Sequence, residues 1–133
     1  MRTCLAALLL LVMSTNLCAD ASQTEPTWTS KRGLFVVSWQ SELDPLQINK
    51  LHAWTLHIEN PAGQAITAAK IDVDGGMPEH DHGLATRPRV TAELGNGDYR
   101  LDGLRFHMRG NWELQFTIVA NGKTDTVVVK VTL

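Results

Sequence analysis

The sequence predicts an all-β domain: an immunoglobulin-like β-sandwich of about seven antiparallel strands, preceded by a signal peptide. Three observations predict it. Apolar and polar residues alternate with period two along most of the chain after Gly33. Turn-forming pairs recur about every ten residues. A length of 133 residues suits one domain. A closed barrel is the second choice.

Taken in order, residues 1–21 read as a secretory signal peptide. Arg2 supplies the charge, Cys4 to Met13 the apolar stretch, and Ala19-Asp20-Ala21 the cleavage signal. The stretch is shorter than the roughly 20 apolar residues of a spanning helix, so no membrane span is expected after cleavage near Ala21. That places the released chain in the periplasm or outside the cell. Cys4 and Cys18 leave with the signal, so the released chain has neither thiol nor disulfide. A lipid on Cys18 is an alternative, although Thr15-Asn16-Leu17 lacks the small residues such a signal uses.

Residues 22–32, "SQTEPTWTSKR", read as a polar arm, and the domain occupies 33–133. "GLFVVSWQ" offers Phe35, Val37 and Trp39 on one face. "LHAWTLHIEN" offers Trp54, Leu56 and Ile58, then stops at the breakers "NPAGQ". "SELDPLQINKLH" between them has room for one helical turn, limited by Pro45. "ITAAKIDVD" is a weaker strand. "RVTAEL" alternates through Val90, Ala92 and Leu94, and "LGNGD" turns it into "YRLDGLRF". There the phase slips across Asp102-Gly103, as at a β-bulge. "NWELQFTIV" alternates strictly, with Trp112, Leu114, Phe116 and Ile118 inward. Asn121-Gly122 then predicts a hairpin into "TDTVVVKVTL".

The formal charge of −2, with no basic run, excludes nucleic acid as an expected partner. No G-x-S-x-G, no H-E-x-x-H and no cysteine nucleophile occur after the signal, so no enzyme is expected.

The chemistry concentrates in two places. "GGMPEHDHG", residues 75–83, holds Met77, His80 and His82; "FHMRG" holds His107 and Met108. These are the only methionines after residue 21. In an extended segment His80 and His82 point to one side, with Glu79 on the other. Imidazole binds copper, zinc, iron and nickel, and thioether sulfur favours Cu(I). If the two segments meet, Met77, His80, His82, His107 and Met108 form a thiol-free ligand set suited to copper in an oxidising compartment. Gly75 and Gly76 are expected to turn the chain sharply out of a strand, and Pro78 to stiffen the approach to His80. Glu79 and Arg109 would tune the charge around the ligands. The alternative is a solvated loop whose histidines cap or pair with acids. His52 and Trp54 share a face and are expected to shape the core rather than bind.

Residues 51–118 resemble the YtkA-like family of small exported bacterial domains. The resemblance rests on His52-x-Trp54, the whole loop Gly75 to Gly83, Thr86-x-Pro88, and then Gly97, Tyr99, Gly103, Phe106, Met108, Gly110 and Trp112. It implies an immunoglobulin-like sandwich. It also implies an association with copper handling, through relatives that include the FixH-like proteins of cytochrome oxidase assembly. With no span expected after cleavage, this chain is not expected to carry the membrane anchor of those relatives. Two readings result: an exported metal-binding protein (a copper carrier, buffer or tolerance factor passing metal to an envelope acceptor), or a metal-independent module that binds a partner protein in the envelope.

Overall fold

The computed structural model describes residues 25–133. The expected signal peptide, and Ser22 to Thr24 of the arm, lie outside the described residues. The period-two segments are strands, and the arm and the histidine loop each add a two-residue strand: β1 (Trp28–Thr29), β2 (Val36–Ser41), β3 (His52–Glu59), β4 (Lys70–Met77), β5 (His82–Gly83), β6 (Arg89–Gly95), β7 (Asp98–Leu104), β8 (Asn111–Ala120) and β9 (Lys123–Thr132). All pairings are antiparallel. One sheet runs β1-β2-β3-β7-β6, the other β5-β4-β8-β9. Without the two-residue strands β1 and β5, this is the four-against-three strand order of an immunoglobulin constant domain. The sheets do not join, so the molecule is a sandwich and not a closed barrel.

Alternation explains the core. Along β8, Trp112, Leu114, Phe116 and Ile118 are fully buried while the residues between them face outward. Along β9, Val127, Val129 and Val131 meet them across the hairpin. Each such side chain contributes about 1.5–3 kcal/mol by leaving water. The Asn121-Gly122 turn forms as expected, with both residues at positive φ, 52° and 70°. The bulge forms too. His52 to Trp54 on β3 opposes Leu104 to Leu101 on β7, one residue more, and Gly103 takes φ +88° to absorb it.

Three local expectations change. "ITAAKIDVD" becomes a strand only from Lys70, because Ala68 sits at φ +53° and breaks the extension. "SELDPLQINKLH" forms no helical turn. The arm is part of the sandwich from Trp28 onward. β1 pairs with β2, and buried Asp125 on β9 fastens the chain between β1 and β2. Its carboxylate accepts hydrogen bonds from Ser30 Oγ at 2.6 Å and from the amides of Arg32 and Leu34.

Candidate metal site

The loop that carries His80 and His82 is a narrow excursion at the edge of the four-stranded sheet. Gly75 and Gly76 do not turn the chain. Both are strand residues, paired with Leu114 and Glu113 on β8, and neither has positive φ. They are glycines because of crowding. A Cβ at Gly75 would lie 2.6 Å from Leu114 Cδ2, and one at Gly76 would collide with the His82 carbonyl oxygen. The bare backbone lets β5 lie close over β4.

The turn itself is made by Pro78 to Asp81. Pro78 opens a single 3-10 turn, Pro78–His80, where its missing N–H costs nothing. Asp81, at φ +51°, reverses the chain. His80 and His82 are therefore not neighbours along an extended segment, as their spacing suggests. The turn nonetheless brings their rings to 6.2 Å between centroids, inclined by 25°. Both side chains are exposed.

β5 then completes a local arrangement. His82 lies directly opposite Met77 in the β4–β5 ladder, so their side chains project to the same face. Met77 is fully buried. Its methyl occupies the space beside Gly110, where a Cβ would come within 2.5 Å of it, so Met77 ties the loop to the "FHMRG" corner. From that corner His107 reaches back, its ring 6.0 Å from His82 at 72° and 5.1 Å from Trp112 at 78°. Metal–nitrogen bonds of about 2.0–2.1 Å put imidazole centroids roughly 3.2 Å from an ion, so two ligating rings stand no more than about 6.4 Å apart. Both histidine separations fall inside that limit.

His107 is half-buried, and its Nδ1 is buried without a hydrogen-bond partner. Such an atom is uncommon in a folded chain, and His52 Nε2 is buried in the same state. The set is open. Among the described residues no three His, Cys, Asp or Glu side chains form a ready metal-holding group. The rings lie in a row, His80–His82–His107, and closing them on one ion takes rotation of the two exposed side chains.

The remaining residues divide. Met108 is half-buried against the core, and its carbonyl accepts the Trp112 indole N–H at 3.1 Å. Glu79 and Arg109 are exposed, and neither makes an ion pair among the described residues. His52 is a buried core histidine. Its Nδ1–H donates to the Lys50 carbonyl at 3.0 Å, and its ring lies 5.8 Å from Phe106. Trp54 packs on Phe106 as well, 6.1 Å away. Together they hold the residue that precedes His107, and the Asn49 amide bonds the Phe106 carbonyl at 2.7 Å. His57 stands apart, bonded to Asp98 at 2.6 Å. Alternation marked Trp112 as core and missed its second role as the wall behind His107. Its short distance from "FHM" in sequence was the available signal.

Fold and site together define a two-sheet β-sandwich with a histidine–methionine corner at one end. The family model for YtkA-like domains matches residues 39–117, from β2 into β8 and through both halves of the corner. The match covers more than half of the chain, and the chain belongs to the YtkA-like family. It matches no curated protein and no solved structure. Among the described residues no helix is long and apolar enough to cross a membrane.

Proposed function

We propose that the chain is an exported copper-binding protein, a carrier, buffer or tolerance factor, with His82, His107 and Met77 as the centre of its ligand set and His80 as the swinging fourth donor. One observation carries this reading: the 6.0 Å approach of His82 to His107, with Met77 opposite His82 in the ladder. Mixed imidazole and thioether donors without a thiolate suit copper in both oxidation states. Copper bound there would supply one-electron redox chemistry or simply be cargo. The residues would hold it, exclude bulk water on the Met77 side and expose it on the His80 side, where an acceptor protein could take it. Family membership and the apolar first segment support export.

Titration of the purified chain with Cu(I) and Cu(II) tests this. Binding at micromolar metal is expected, weakened at least tenfold, about 1.4 kcal/mol, by His80→Ala/His82→Ala. No binding, or binding indifferent to the double variant, overturns it.

A second reading is favoured by a different observation. Leu51 is 67% exposed and Ile48 38%, on the segment that Asn49 ties to Phe106. An apolar surface beside the corner fits a metal-independent contact with an envelope protein. Capture of a partner by the metal-free chain, lost when residues 75–83 are replaced, would favour it.

A further inference from the structure

The four tryptophans of the chain and Phe106 form one aromatic file that starts at the histidine corner. Trp112 touches His107, Phe106 lies 5.3 Å from Trp112, and Trp54 lies 6.1 Å from Phe106. Trp39 stacks on Trp54 at 3.9 Å with the ring planes 7° apart, and Trp28 comes next at 6.3 Å. Register explains the second half of the file. Trp28 pairs with Val37 and Trp39 with Leu56, so Trp28, Trp39 and Trp54 stand on one diagonal of the inner face of β1, β2 and β3. Phe106 and Trp112 then carry the file across to the other sheet. It ends at Trp28, half-buried on an edge strand.

Two features exceed what packing requires. Trp39 and Trp54 both keep buried indole N–H groups with no acceptor. A buried unpaired donor is costly and uncommon in a folded chain. The stack is also tight: its 3.9 Å centroid separation is shorter than the about 4.5–7 Å usual for aromatic pairs. Both features suit electron transfer. A parallel indole pair shares a positive charge over two rings. An oxidised indole is a strong acid, and with no base beside it the proton stays and the charge remains mobile.

We propose that this file is a hole relay that carries oxidising equivalents from the histidine corner to the surface at Trp28. An oxidant of the hydroxyl-radical class at the corner takes one electron from Trp112 and one proton from solvent and becomes water. The hole passes by Trp54 and Trp39 to Trp28. There the indole radical cation loses its N–H proton to water, and a small thiol returns a hydrogen atom; two thiyl radicals then couple to a disulfide. The relay spares the histidine and methionine ligands. It rests on the metal reading only for the source of the oxidant.

The test uses the metal-free chain carrying His57→Gln and His80→Gln, with a ruthenium polypyridyl photo-oxidant coordinated to His82. A flash with a soluble quencher generates Ru(III) beside His107, and transient absorption tracks the radicals. A long-lived neutral tryptophan radical is expected. It is lost in Trp28→Phe and in Trp39→Phe, where charge recombines from the inner rings instead. A long-lived signal unchanged in either folded variant, or no tryptophan radical in the folded parent, overturns the relay. Trp28→Phe at the edge serves if Trp39→Phe fails to fold. No copper is present, so this result is independent of the copper titration.

Discussion

At the scale of single residues, the corner depends on atoms that are missing as much as on those present. Gly75, Gly76 and Gly110 leave room for Leu114, for the His82 carbonyl and for the Met77 methyl. The sequence marked Gly75 and Gly76 but suggested the wrong reason, because "GGMP" also reads as a turn and the neighbouring strands are invisible in one dimension. Met77 packs the corner, and substitution can separate that role from the proposed copper ligation. Met77→Ala empties a fully buried site and should cost about 2–5 kcal/mol of stability. Met77→Leu keeps the volume and should cost less than about 1.5 kcal/mol. If the thioether binds copper, Met77→Leu should still lose Cu(I) affinity while melting near the parent. Equal Cu(I) affinity in Met77→Leu and parent would make Met77 packing only.

At the scale of elements, Asp125 joins the first strand to the last. Burial works against its charge, but hydrogen bonds from Ser30, Thr126, Arg32 and Leu34 outweigh it and hold its pKa below the ordinary carboxylate range. A depressed carboxylate pKa stabilises the fold above the unfolded value, about 3.9, and the stabilisation disappears as pH falls through the folded value. Asp125→Asn should therefore melt below the parent at pH 7, with the gap narrowing under acid. Thermal melts at pH 7 and pH 3 check this, and a gap independent of pH would remove Asp125 from the explanation. Nothing in "TDTVVVKVTL" announced this role. Asp125 matters because Ser30, far off in sequence, arrives beside it. The hairpin at Asn121-Gly122 and the bulge at Gly103 were legible, since each depends on a few contiguous residues with unusual backbone needs.

At the scale of the whole molecule, the corner joins segments from both sheets: Met77 and His82 come from the β4–β5 excursion, His107 from the segment leaving β7. A ligand that bridges them should stabilise the fold, because it binds the folded chain and not the separated segments. Copper at a hundredfold excess over its dissociation constant should add about 2.7 kcal/mol. Scanning calorimetry should show the melting temperature rise with copper in the parent and stay put in His80→Ala/His82→Ala. Period-two alternation and turn chemistry are local, so the seven longer strands, their inward faces, the hairpin, the bulge and the two segments that bear the histidines and methionines could be read from the residues alone. No local pattern foretold that the two segments meet, that Met77 reaches Gly110, that the arm locks onto Asp125, or that four tryptophans line up behind His107. Each is a contact between residues far apart in the chain, fixed by strand register and sheet order, and register acts only once the sheets have formed.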